Sequence, residues 1–149
     1  MNTAYETDVV AWAGEQARLL RAGRFDLLDI ENIAEEIEDV GKAEHRELFS
    51  RVVVLLAHLL KWQYQPERRG RSWNLTIRTQ RRDVARALEL IPSLKTDLKD
   101  LAWWESVWAA SVRQAFDETS LDIFPEVCPW TFAEIIDENW LPGDDGATM

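Results

Sequence analysis

Residues 42–64 read KAEHRELFSRVVVLLAHLLKWQY, and the spacing of their apolar side chains decides the fold class. Leu48, Val52, Leu55, Leu59 and Trp62 recur at intervals of three and four, with Phe49, Val53, Leu56 and Leu60 following on the adjacent face. In a helix, residues three and four apart share one side, so the two sets together cover more than the roughly 100° stripe of a surface helix. A helix apolar over so wide an arc belongs at the centre of a helical bundle. The run from Val52 to Leu60 is broken by His58 and falls short of the ~18 apolar residues that span a bilayer.

The flanking sequence keeps the helical period. A first helix is expected over about Thr7 to Ala22, with Val10, Ala13, Ala17 and Leu20 inward and Gly23 as its stop. Asp29 opens a second, carrying Ile30, Ile33, Ile37 and Val40, which Gly41 ends or bends before the central helix begins at Lys42. After Pro66 and Gly70, Ser72 is expected to cap a fourth helix running to about Ile91, with Trp73, Ile77, Val84 and Leu88 buried and Pro92 ending it. Ser93 is expected to open a fifth, with Leu94, Leu98, Leu101, Trp108, Val112 and Phe116 inward. Residues 121–130, bracketed by Pro125 and Pro129, read as a non-helical crossing, and Thr131 with Glu134 forms a capping-box pattern for a short last helix. The expectation is a single all-α domain over residues 1–149, a compact bundle of about five helices with a short C-terminal helix.

Composition narrows the class of protein. With 149 residues, 46% apolar side chains and eight tryptophans, the chain has ample core material for one ordered domain. The start, MNTAYETD, has neither the basic nor the apolar region of a secretory signal, and a single cysteine, Cys128, excludes an internal disulfide. These features predict a cytoplasmic protein with no membrane segment. A net charge of −10 argues against sequence-independent nucleic-acid binding by overall charge.

That charge is segregated. Lys and Arg stand against Asp and Glu as 5 to 12 in residues 1–50, 9 to 2 in residues 51–86 and 3 to 13 in residues 87–149. The middle segment holds Lys61, Arg68, Arg69, Arg71, Arg78, Arg81, Arg82 and Arg86 with Trp62, Tyr64 and Trp73; of these, Arg71, Arg78, Arg82 and Arg86 share one helical stripe. Arginine beside aromatics can bind phosphate and stack on bases. It can equally form bidentate pairs with carboxylates of the same domain, of which Glu35, Glu36, Glu38 and Asp39 are the expected partners.

Two further constellations have a chemical reading beside a structural one. The carboxylates Glu31, Glu35, Glu36, Glu38 and Asp39 would suit a metal, but no Glu precedes His45 or His58 by three residues, the spacing of di-metal carboxylate bundles, so no metal or cofactor is expected. Glu44, Glu47, Arg51 and His58 form a polar stripe along the central helix, most simply a network that locks the bundle. Arg51 and His58, with six residues between them, also resemble the motif of HEPN ribonucleases, where the arginine stabilises phosphate charge and the histidine does acid–base work. The sequence departs from that motif in placing Val52, not a polar residue, after the arginine. Cys128 lies between prolines with no basic neighbour to lower its pKa, so it is not read as a nucleophile.

Several blocks in combination resemble the bacterial and cyanobacterial "domain of unknown function 29" family. They are Tyr5-Glu6-Thr7-Asp8 with Trp12, Leu19-Leu20-Arg21 with Gly23, Glu35-Glu36-Ile37-Glu38, His58-Leu59-Leu60-Lys61-Trp62-Gln63 and Ser72-Trp73. Arg78 to Arg81, Pro92-Ser93-Leu94, Glu118-Thr119 and Phe124-Pro125 through Cys128-Pro129 complete the pattern. The resemblance implies an all-helical prokaryotic domain with no established activity. It points to Glu35, Glu36, Glu38, His58, Lys61, Trp62, Ser72, Trp73 and Arg81 as the place to seek a site. The functional expectation is a non-catalytic interaction or regulatory module whose partner is another protein. The alternative is an RNA-binding protein or HEPN-like metal-independent ribonuclease using Arg51 and His58, with Arg78, Arg81 and Arg82 in the binding face.

Overall fold

Helical periodicity carries through to the structure. The computed structural model describes residues 4–143, which form five α-helices and, among the described residues, no strand. They are α1 (Val9–Arg21), α2 (Ile30–Tyr64), α3 (Arg71–Leu90), α4 (Leu101–Thr119) and α5 (Phe132–Ile136). Short 3₁₀ turns at Phe25–Leu27, Pro66–Arg68 and Pro92–Lys99 join them. The chain divides into two compact units, Met1–Ala43 and Glu44–Met149, and α2 begins in the first and ends in the second.

In the first unit, Asp8 caps α1 by accepting from the backbone N–H of Ala11 at 3.1 Å. The buried residues of α1 are Trp12 and Gln16, not the expected Val10–Ala13–Ala17–Leu20 face, and Val10 is 80% exposed. The cause is a polar knot at the start of α2. Trp12 donates its indole N–H to Asp29 Oδ2 at 3.0 Å, Asn32 donates to the same oxygen at 2.8 Å, and Gln16 Oε1 accepts from the Asp29 backbone N–H at 2.8 Å. These bonds turn the Trp12–Gln16 side inward. Asn32's side-chain amide first, then Trp12 and the Asn32 backbone N–H, hold the Asp29 carboxyl below its ordinary pKa. Tyr5 packs edge-on against Trp12 at 4.8 Å and donates its hydroxyl to Glu36, which raises the phenol to about 12.

The expected division at Gly41 is absent: α2 is one helix of 35 residues. Gly41 has no positive φ, unlike Gly23, so it is an ordinary helical residue. Glycine inside a helix costs about 1 kcal/mol relative to alanine, which good helix formers on both sides readily outweigh.

In the second unit, the seam read from the sequence is the core. Leu48, Val52, Leu55, Leu56, Leu59 and Leu60 of α2 are buried against Ile77, Val84 and Leu88 of α3, Leu94, Val107 and Trp108, and Ile135 of α5. Each fully buried aliphatic side chain of this kind contributes about 1.5–3 kcal/mol.

Two helix starts differ from expectation. Gly70, not Ser72, is the N-cap of α3, and Ser72 lies exposed in its first turn. Ser93 sits in a 3₁₀ turn; the next α-helix begins only after Asp100, whose carboxylate accepts from Ala102 N–H at 3.0 Å. The later start leaves Leu101 and Phe116 exposed while Trp108 stays buried. Residues 121–130 are non-helical as expected, held by Trp108 Nε1 donating to Pro125 O at 2.9 Å. The capping box of α5 is formed: Thr131 Oγ1 accepts from Glu134 N–H at 3.2 Å, and Glu134 Oε1 accepts from Thr131 N–H at 3.0 Å.

Candidate functional site

The basic segment separates into side chains with internal partners and side chains presented to solvent. Arg51 donates to Glu47 at 2.7 Å and to Asp83 of α3 at 2.9 Å. Arg69 donates to the carbonyl of Trp62 at 2.6 Å, closing the C-terminal turn of α2, and stacks over the Trp62 ring at 5.2 Å. Arg81 is only 2% exposed; its Nε donates to Ile135 O at 2.8 Å and its Nη2 to Trp140 O at 2.7 Å. A cation at the end of α5 is where the helix dipole favours one. Burial lowers the Arg81 pKa, with the charges of Asp137 and Glu138 opposing that effect.

Lys61 lies in a second cluster. At 7% exposure it forms an ion pair with Glu118 of α4, sits 5.3 Å over the Trp73 ring of α3 and approaches His58 Nε2 at 3.5 Å. His58 Nδ1 is 2.8 Å from the Val54 carbonyl, which can only accept, so Nδ1 carries the hydrogen and the neutral ring turns a bare Nε2 to the lysine. Burial lowers the His58 pKa, Lys61's charge adds to that, and the Val54 carbonyl and Glu118 oppose it. Burial works against the Glu118 charge, but bonds from Lys61 and Gln114 outweigh it and hold that carboxyl low. The cluster is a satisfied polar clamp between α2, α3 and α4.

The two residues of the nuclease reading therefore point to different partners. Arg51 serves Glu47 and Asp83, and His58 serves Val54 and Lys61. Among the described residues, no hydrogen bond or ion pair joins them.

The other five basic side chains behave differently. Arg68, Arg71, Arg78, Arg82 and Arg86 are exposed, and among the described residues they make no ion pair or side-chain hydrogen bond. Arg71, Arg78, Arg82 and Arg86 form one stripe of α3 at steps of seven, four and four, with Leu75, 61% exposed, between the first two. Among the described residues, none of these arginines pairs with a carboxylate of its own unit; the expected partners Glu35, Glu36, Glu38 and Asp39 belong to the other unit. Of the proposed partners, Glu36 accepts from Tyr5, Asp39 pairs with Lys42 at 3.9 Å, and Glu35 and Glu38 are exposed.

Sequence reasoning missed Glu118, Asp83 and the carbonyls of Ile135 and Trp140, the partners that decide which basic residues are internal. Among the described residues, no group of three His, Cys, Asp or Glu side chains could hold a metal ion. Cys128, whose pKa burial raises, donates to Trp130 O at 3.5 Å and lines an apolar groove of about 590 Å³ with Leu101, Trp104, Trp108 and Phe132. No helix among the described residues is long and apolar enough to cross a membrane.

No curated protein and no solved structure matches the chain. The family model described as "Domain of unknown function DUF29" matches residues 4–141. A match over nearly the whole length, through the blocks that hold the Lys61 clamp and the Arg81 anchor, places the chain in that family.

Proposed function

We propose that the protein is a non-catalytic interaction module of the cytoplasm that uses the arginine face of α3 to hold an acidic segment of a partner protein. The observation that carries this reading is the exposed, unpaired stripe Arg71–Arg78–Arg82–Arg86. Asp83 faces Arg51 and so neutralises none of it. Guanidinium groups suit planar carboxylates, which they hold bidentately, and Leu75 supplies an apolar contact in the same stripe. A protein partner fits better than nucleic acid because the chain's net charge of −10 repels a long polyanion outside this one face. The ribonuclease alternative has less support, since Arg51 and His58 engage separate partners.

The test is affinity purification from the native host with the wild type and with Arg78→Glu/Arg82→Glu, followed by mass spectrometry. Loss of a specific acidic partner from the variant, with an unchanged melting temperature, is expected. Equal recovery by both proteins would sink the reading. Cleavage of single-stranded RNA that vanishes in both His58→Ala and Arg51→Ala would install the nuclease instead.

A further inference from the structure

We propose that the groove lined by α4, the 121–130 crossing and α5 is a binding site for a small organic cation with an aromatic or aliphatic body. None of its lining residues belongs to α3, so the site is separate from the arginine face.

Helical spacing builds one wall. Leu101, Trp104, Glu105, Trp108 and Ala109 lie at i, i+3, i+4, i+7 and i+8, a single face of α4. The non-helical crossing supplies another. Trp108 donates its indole N–H to Pro125 O at 2.9 Å, which ties the crossing to α4, and Trp130 packs edge-on against the Trp108 ring at 5.7 Å. Phe132 of α5 lies 5.9 Å from the Trp104 ring. Trp108 and Ile135 are buried, while Leu101 and Val127 are 78% and 76% exposed. Single exposed apolar residues are ordinary, but two lining one groove together with four aromatic rings mark a contact surface. The volume of about 590 Å³ is that of a small-molecule site, which spans about 300–1,000 Å³ and has a mostly apolar lining with a few polar groups.

The polar groups of the groove select the charge of its ligand. Leu98 O accepts the indole N–H of Trp104 at 2.7 Å and Pro125 O that of Trp108, so these two rings offer a ligand no donor. The Cys128 thiol donates to Trp130 O. Among the lining side chains, one donor is left without a partner, the neutral indole N–H of Trp130. Against it stand two carboxylates, Glu105 of α4 and Glu126 of the crossing. Both are exposed, and among the described residues neither side chain has an ion pair or hydrogen bond. No lysine, arginine or histidine lines the groove, and residues 87–149 hold 3 Lys and Arg against 13 Asp and Glu. An anion entering here would meet like charge. A cation meets carboxylates and electron-rich rings, both of which attract an organic ammonium. The apolar lining requires that cation to carry an apolar body, since a bare inorganic ion would exchange its hydration for carbon.

The test titrates phenethyltrimethylammonium into the isotope-labelled full chain at low salt, followed by amide-correlation NMR. The indole signals of Trp104, Trp108 and Trp130 and the backbone signals of residues 126–130 should shift along one saturable curve. Phenethyl alcohol, with the same body and no charge, should bind there at least about fivefold more weakly, and hydrocinnamate, an anion, more weakly still. Glu105→Gln/Glu126→Gln should remove most of the cation's advantage over the alcohol. Ala109→Lys, which places an ammonium of the chain's own in the groove, should abolish binding of the probe. These positions are exposed, and circular dichroism checks that each variant folds. Leu101→Lys, also exposed, replaces Ala109→Lys if that variant does not fold, with the same expectation. No saturable binding up to about 20 mM probe would overturn the proposal. So would equal binding of the cation and the alcohol, a cation preference that survives Glu105→Gln/Glu126→Gln, or shifts confined to residues outside the groove.

Discussion

Replacing Arg81 with Met tests whether a buried cation anchors the C-terminal segment to α3. The guanidinium donates to Ile135 O at 2.8 Å and Trp140 O at 2.7 Å, with 2% of the residue exposed. Hydrogen bonds from a charged donor contribute about 1.5–3 kcal/mol each, so the two together contribute on the order of 3–6 kcal/mol. Part of this is offset in the wild type by the cost of holding a guanidinium away from water, which Met does not incur. Met also fills most of the volume, which keeps the cavity term small. The expected net loss is about 2–4 kcal/mol, a large share of the stability of a chain this size, and a fall in Tm of roughly 5–15 °C. Urea titration followed by far-ultraviolet circular dichroism gives the free energy. Amide exchange should show residues 131–143 losing protection first. Arg81→Lys should recover less than half of the loss, because one ammonium cannot reproduce the planar fork that reaches both carbonyls. A Met variant within about 0.5 kcal/mol of wild type, with exchange unchanged at residues 131–143, would refute the anchoring argument.

The Lys61–Glu118 pair should respond asymmetrically to removal of either partner. Glu118→Gln strands a cation that is 7% exposed and should cost about 2 kcal/mol, below the range for a fully buried pair because solvent reaches Glu118; Lys61→Met leaves a wetted carboxylate and should cost less. Chemical denaturation of both variants checks the order. His58 has a folded pKa below its ordinary 6.5, so the unfolded chain binds more protons as pH falls through 6.5, and stability held above that pH is lost on acidification. His58→Leu should remove this part of the pH dependence, while the lowered pKa of Glu118 acts separately, with stability lost as pH falls below the ordinary carboxylate range; melts between about pH 2 and 8 separate the two. Gly41→Ala should raise stability by about 0.4–1 kcal/mol, since Gly41 is helical and an added Cβ meets nothing within 4 Å. A loss there on thermal melting would show that the helix is strained at that point.

The fold was legible wherever burial and periodicity agreed. Leu48, Val52, Leu55 and Leu59 carry both signals at once, and the capping box Thr131–Glu134 is a local rule with local partners. The first helix misled because its most apolar face is not its buried face. Trp12 and Gln16 turn inward to satisfy Asp29, and a bond to a residue 17 or 13 positions away leaves no trace in a hydrophobic period. Gly41 and Ser93 misled for a related reason. Each has a conformational preference worth about 1 kcal/mol or less, and longer-range packing decides whether that preference is expressed.

The site divides along the same line. Charge counting isolated residues 51–86 as a basic segment, but it could not say which cations the protein uses internally. That depends on partners 32 to 59 residues away: Asp83 for Arg51, Glu118 for Lys61, and the carbonyls of Ile135 and Trp140 for Arg81. A guanidinium bound to two backbone oxygens needs no acidic residue anywhere, so composition gives no hint of it. Once these are subtracted, the α3 stripe remains, and its period was readable from the start. Arginines at steps of seven, four and four on a solvent face cost little in a monomer, because water solvates each cation. It also orders nothing within the second unit, so the fold alone does not account for its regular spacing.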